Sequence, residues 1–314
     1  MTNILLKRLG QAALVAWAVG TLTFVLMHLL PGDFAYRIAA GRYGYDYVNL
    51  AAAEAVRAEL GLDQSILVQY LSWFTDLLQF NLGQSLVSGN PVSEELYHQL
   101  GHSLKLALFA SVFSLIIAIP IGIKAGRNAG SITDRLSLVF SIITRAQPVF
   151  VIGLILVLIF GLKLNLLPVA GFGSSEYVIL PALSLALAMA ALSSRLIRNS
   201  THDVVNSPYY RFARFKGLSQ SDAFTHHAQP NIALPVIAFV GIQAVGLIEG
   251  IVMIESLFSW PGIGHALAHA IFGRDVPMIQ GAALVMGLIF VALNTSVDLI
   301  NYVLDPRQRE EALA

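Results

Sequence analysis

The sequence predicts an all-α integral membrane protein with six transmembrane helices, and three observations carry that reading. The chain of 314 residues is 56% apolar and only 12% charged, where a soluble domain has about 25% charged residues. Six runs reach the roughly 20 apolar residues needed to cross about 30 Å of hydrocarbon, and they fall near Leu9–Leu30, Ser103–Ile123, Leu136–Phe160, Ile179–Leu196, Ile232–Ile254 and Gly281–Leu304. Lys and Arg are shared unequally between the two sets of loops that these runs define.

The first run follows Lys7 and Arg8, as a signal peptide would. Its length, and its ending in LLPGDF without a small-x-small cleavage pattern, make it a retained span. With six spans, one side holds Lys7, Arg8, Lys124, Arg127, Arg135, Arg195, Arg198, Arg211, Arg214, Lys216, Arg307 and Arg309. The other has Arg37, Arg42, Arg57, Lys163 and Arg274. The richer side is expected to be cytoplasmic, with both termini there.

Between the first two runs lies a long extracytoplasmic segment, 31–102. It carries helical periodicity in ILVQYLSWFTDLLQF and turn signals in NLGQSLVSGNP, so short helices are expected there rather than a disordered linker. The chain then divides into residues 1–30 (cytoplasmic N-terminus and first span), 31–102, a transmembrane core 103–304 with a polar loop at 199–231, and a cytoplasmic tail 305–314. No internal repeat or interdomain linker is evident.

Composition also excludes chemistry. Lys plus Arg and Asp plus Glu both number 19, so no charge excess points to nucleic acid. Without cysteine, there are no disulfides, thiolate metal sites or cysteine nucleophiles. No G-x-x-x-x-G-K-[ST] loop occurs, so the chain does not cradle nucleotide phosphates in that way. No Ser–His–Asp or paired-carboxylate constellation can be assigned to a water-accessible site. The chain reads as a non-enzyme with no cofactor of its own.

The most informative polar stretch is SPYYRFARFKGLSQSDAFTHHAQPN, Ser207 to Asn231. Ser207 can cap a helix, Pro208 suits its first position and Gly217 supplies a left-handed stop, giving a short helix from about Pro208 to Lys216. Ser219 followed by Asp222 is a capping-box pattern that starts a second short helix, expected to end before Pro230. Such a pair forms a knob that a partner could grip. Composition by itself favours an amphipathic loop lying on lipid headgroups, with Arg211, Arg214 and Lys216 only enforcing its side.

YYRFARFKGLSQSDAFTHHAQPN resembles the cytoplasmic loop of ATP-binding-cassette (ABC) importer permeases of the dipeptide, oligopeptide and nickel family. The matching positions are Tyr210, Arg211, Ala213, Arg214, Lys216, Gly217, Leu218, Ser219, His227, Ala228 and Asn231. HLLPGD at His28–Asp33, LGLDQ at Leu60–Gln64, VQY at Val68–Tyr70, ILPAL at Ile179–Leu183, FSWPGIG at Phe258–Gly264, RDVPMIQG at Arg274–Gly281 and LDPR at Leu304–Arg307 extend the resemblance in order along the chain. Phe212 and Phe215 depart from it, standing where Thr and Ala are usual, and Gln229–Pro230 replaces Leu–Arg.

The resemblance implies a type I ABC importer permease fold in which the loop is a coupling helix docked on an ATPase. It also implies the partners: a second homologous permease, two ATP-binding-cassette subunits that bind ATP and Mg, and an extracytoplasmic substrate-binding protein. GLSQS at Gly217–Ser221 is only faintly like an ATPase signature and lies inside the coupling loop. A passive channel or ion-coupled carrier is the alternative class, but it would need no docking loop.

Cargo is open between short peptides and nickel or a metal chelate. Ionisable residues in or beside spans are candidates, because a charge in lipid costs about 2.5–3.5 kcal/mol on insertion scales. Lys105, Arg145, Glu249, Glu255 and Asp298 qualify. Asp298 shares a helical face with Asn294 and Asn301 and reads as a structural polar seam. Glu249, in GLIEGIV, is a candidate for the substrate path, or for pairing with Arg145 or with the second permease; Glu255 and Arg145 are further path candidates. Arg145 precedes Pro148 and stands close enough to an interface to snorkel. His98 with His102, and His265 with His269, are spaced i, i+4 on the outer side, a spacing that suits metal chelation and also occurs in solvated histidines.

Overall fold

The computed structural model describes residues 2–29, 32–44, 48–59, 61–79 and 81–304. Leu30 and Pro31 of HLLPGD, Leu60 of LGLDQ, Asp305–Arg307 of LDPR and the tail 305–314 lie outside them. Among the described residues the chain is helical, with one isolated β-bridge between Gln84 and Pro91. The elements are α1 (Thr2–Leu29), α2 (Phe34–Tyr43), α3 (Leu50–Glu59), α4 (Ile66–Leu78), α5 (Val92–Arg127), α6 (Ile132–Arg145) and α7 (Val149–Leu156), the last prolonged by a π-helical Val157–Lys163. There follow α8 (Ile179–Asn206), α9 (Pro208–Phe215), α10 (Gln220–Ala223), a π-helical Phe224–Ala228, α11 (Gln229–Leu257), α12 (Ile263–Gly273) and α13 (Val276–Leu304).

Among the described residues five helices are long and apolar enough to span a membrane, or six if α6 and α7, bent by 104° at the break between them, are counted as one span. The sequence places one span across Leu136–Phe160 with a break at Pro148, and the structure shows how sharp that break is. Pro148 has no N–H to donate and disfavours helical geometry at Gln147, so α6 ends at Arg145 and α7 restarts at Val149. Helix α5 runs 36 residues without a break at 102–103. At 1.5 Å per residue that is about 54 Å, well beyond the hydrocarbon thickness.

The chain forms two compact units, one built on Leu104–Trp260 and the other on Leu5–Ser103 with Pro261–Val291. In the first, α8 is the central post. It buries Leu180, Ala182, Leu185, Ala186, Ala190 and Ile197, small and branched side chains that let α6, α7 and α11 pack close to it. Helix α6 is amphipathic in the sense opposite to a soluble helix, burying Asp134, Ser137 and Ser141 while exposing Leu136, Val139 and Ile143. That arrangement fits hydrocarbon as the solvent.

In the second unit, α2 packs on α3. Asp33 caps α2 by accepting from the Ala35 N–H at 3.0 Å, and the Arg57 guanidinium of α3 donates to it at 2.6 Å. Arg42 grips Glu59 through both terminal nitrogens at 2.7 and 3.0 Å. Helix α4 lies against α1 through Phe24, Tyr70 and Trp73, with Thr21 and Tyr70 hydroxyls 2.9 Å apart. Buried Asp275 caps α13 at the Met278 N–H and also accepts from the Leu86 N–H at 3.1 Å and the Ser85 hydroxyl, tying the 85–87 segment to the start of that helix.

Candidate functional site

The knob between α8 and α11 is built from local signals. The Ser207 hydroxyl accepts from the Tyr210 N–H at 3.4 Å and Pro208 occupies the first turn, so α9 starts where its orphan donors are covered. Gly217 stops it with φ +91°. Arg214 Nη1 donates to the Leu218 carbonyl at 2.7 Å, bracing the turn from outside. Ser219 then caps α10, accepting from the Asp222 N–H at 3.1 Å. The Asp222 carboxylate accepts from the Ser219 hydroxyl at 2.5 Å, so it supports the cap through the side chain instead of returning to the backbone.

The second short helix does not end before Pro230, as the sequence predicts. It widens into a π-turn at Phe224–Ala228 and continues as α11 without a stop. The π-turn lets the Gln229 N–H reach back to the Phe224 carbonyl, and Pro230 falls in the first turn of α11, where an N–H is dispensable. The Asn231 side chain donates to the His227 carbonyl at 2.8 Å. One end of the knob is therefore continuous with a membrane span.

Its two faces differ. Tyr210 joins Ala223, Phe224, Ala228 and Ile232 in a buried cluster, backed by Val204, Leu218 and Ile123, and Ala213 is buried beside it. The Arg127 guanidinium lies 3.5 Å above the Phe224 ring. The other face presents Tyr209, Phe212 and Phe215, which are 46%, 59% and 87% exposed. Arg211, Arg214 and Lys216 are exposed among them, with Lys216 Nζ 4.7 Å from the centre of the Phe212 ring.

Helix α8, which leads into the knob, is gripped from two sides. Asp134 takes a bidentate contact from Arg198, with Nε at 3.0 Å and Nη2 at 2.6 Å. It also accepts from the Gly130 N–H at 3.0 Å and Arg195 Nη1 at 3.3 Å. On the α5 side, Gly122 and Gly126 allow backbone contact: a Cβ at Gly126 would lie 2.5 Å from the Arg198 carbonyl oxygen. The sequence reading missed both. Ser131-x-x-Asp134 is a capping-box signature and Gly122-x-x-x-Gly126 a span-packing one, yet neither says which helix it faces.

The path candidates do not converge. Glu249 and Arg145 are exposed, and no ion pair joins them among the described residues, whereas Glu255 is fully buried. His265 and His269 do come together, with ring centres 4.4 Å apart. His98 and His102 lie on α5, the former exposed and the latter half-buried.

In the unit built on Leu104–Trp260, apolar helices pack on the small-residue face of α8, which leads into the polar knob. Family models place the chain: residues 118–310 match the binding-protein-dependent transport system inner membrane component, and residues 1–107 match the N-terminal part of the same kind of component. The chain belongs to this family and is an inner-membrane permease subunit of an ABC importer, a transport component rather than an enzyme. It is 35% identical over 309 residues to the glutathione transport system permease protein GsiC of Salmonella typhimurium (strain LT2), covering 98% of this chain and 99% of that one. It is 33% identical to the protein of the same description from Escherichia coli (strain K12), with the same coverage. A crystal structure of an amino acid ABC transporter with histidines shares the fold at 16% identity and a TM-score of 0.51, over 66% of this chain and 92% of that one.

Proposed function

We propose that this permease forms half of the translocation pathway for short peptides and is driven by two ATPase subunits that hold the α9–α10 knob. A second homologous permease supplies the other half, and an extracytoplasmic binding protein delivers the cargo. The two-faced α9 carries the reading. Its Tyr210–Ala213 face is buried in the chain's own core, while Tyr209, Phe212 and Phe215 stand out of it beside three cations. Aromatic and Arg side chains dominate protein–protein hot spots, and the basic groups suit carboxylates or carbonyls on the partner. Similarity to glutathione permeases supports a peptide-like cargo, since glutathione is itself a tripeptide.

Replacing Phe212 and Phe215 together by Ala tests the docking. Each truncated hot-spot residue costs about 2 kcal/mol or more, so co-purification of the ATPases should fall while the permease still inserts. Full recovery of ATPases with normal uptake would remove the basis for this docking face. Nickel or a metal chelate is the second cargo reading, favoured by the His265–His269 pair. Competition of labelled dipeptide uptake by glutathione, and by nickel, distinguishes the two.

The Lys and Arg distribution supports a cytoplasmic knob and cytoplasmic termini. Ser88 and Ser221 are both exposed, and the chain has no native cysteine. Ser88→Cys should react with a membrane-impermeant maleimide added outside, and Ser221→Cys only after the membrane is opened. The opposite pattern would invert the topology. In this arrangement Glu249, exposed on a span, is covered either by the second permease or by water in the pathway.

A further inference from the structure

We propose that His265 and His269 form a binding site for a late first-row divalent cation, held by two imidazoles at the edge of an open cavity and exchangeable with solvent. The spacing i, i+4 on α12 brings the rings to 4.4 Å between centres at an interplanar angle of 73°. Two imidazoles that share one ion at about 2.0–2.1 Å per nitrogen need ring centres only slightly farther apart. Small side-chain rotations reach that geometry.

The surroundings point to a ligand. Nδ1 of His265 and Oε1 of Gln99 are buried without a hydrogen-bond partner, and both residues line the same cavity of about 460 Å³. A buried polar atom without a hydrogen bond is destabilising, and neither atom has a hydrogen-bond partner among the described residues. Glu95 lines the cavity as well, engaged by the Ser88 hydroxyl at 2.5 Å, and brings negative charge towards a bound cation.

Imidazole ligands suit nickel, copper and zinc rather than magnesium or calcium. Among the described residues no group of three or more His, Asp or Glu converges. The protein thus offers two ligands and leaves the other positions to water or to donor atoms of a passing molecule. A closed structural site would use four protein ligands. The site stands whether the cargo is a peptide or a metal species, because it concerns what this chain binds.

The assembled importer, purified through a tag without histidine and held in lipid nanodiscs, is titrated with nickel, zinc and copper chlorides by calorimetry. One ion per copy of this chain is expected. His265→Ala and His269→Gln should each weaken binding by at least about tenfold, the loss usual even for groups that only support a metal site. A His98→Gln/His102→Gln variant should bind like the parent. His269 is exposed, so His269→Gln carries the test if His265→Ala does not assemble. No ion bound by the parent, or unchanged binding in His269→Gln, overturns the site.

Discussion

Gly217→Val is expected to uncouple the importer while leaving the permease in the membrane. Position 217 holds φ +91°, and a Cβ placed there meets nothing within 4 Å. The penalty is therefore backbone strain and not a clash. Left-handed geometry costs an L-residue about 1–2 kcal/mol, and a β-branched residue is a genuine outlier there. That lowers the population of the intact turn by about five- to thirtyfold. Because this turn joins α9 to α10, which are also held by the Arg214–Leu218 hydrogen bond and the Tyr210–Ala223 packing, straining it disturbs the knob as a body, and substrate-stimulated ATP hydrolysis and uptake should fall together. Gly217→Asn should lose less, since Asn visits left-handed conformations more readily. Normal uptake by Gly217→Val, reconstituted with its ATPases, would show that the turn need not be rigid.

Asp134→Ala should have the largest effect on stability. The carboxylate is 9% exposed and binds Arg195 and Arg198 at once. Removing one partner of a buried pair costs about 3–5 kcal/mol, because the other charges stay behind uncompensated. The variant should accumulate poorly and melt at lower temperature in detergent. Replacing the whole network, Asp134→Leu with Arg195→Met and Arg198→Met, should restore accumulation, since well-packed apolar groups often substitute for a buried ion cluster at little cost. Uptake by that triple variant then separates two roles. Full activity makes the network purely structural, whereas loss of uptake at normal accumulation makes it the link that moves α6 with α8. A single Asp134→Ala variant with parental accumulation and melting would show that the network contributes nothing.

How much was legible beforehand follows from the range of each interaction. Apolar runs of span length depend only on composition in a window, so the spans were readable from hydropathy. The caps at Ser207 and Ser219 and the stop at Gly217 are set within four residues, and they too were visible. The break before Pro148 was half visible. Proline announced an interruption, but the angle of 104° between α6 and α7 depends on how each piece packs against α8.

Pro230 shows the opposite error. Proline ends a helix on local grounds, yet here the π-turn at Phe224–Ala228 absorbs the missing donor, and Phe224, Ala228 and Ile232 are held in one buried cluster. Tertiary burial outweighed the local rule. For the site, the sequence by itself determined the knob, its basic residues and the i, i+4 spacing of the histidines, because helical periodicity alone sets those. Only the tertiary structure decided that Phe212 and Phe215 face outward while Tyr210 faces in, that Asp134 finds two arginines 61 and 64 residues away, and that Gln99 shares a cavity with His265. The physical reason is common to all three. Which face of a helix is buried, and which charge it meets there, is settled by the helices packed against it, and those lie far away along the chain.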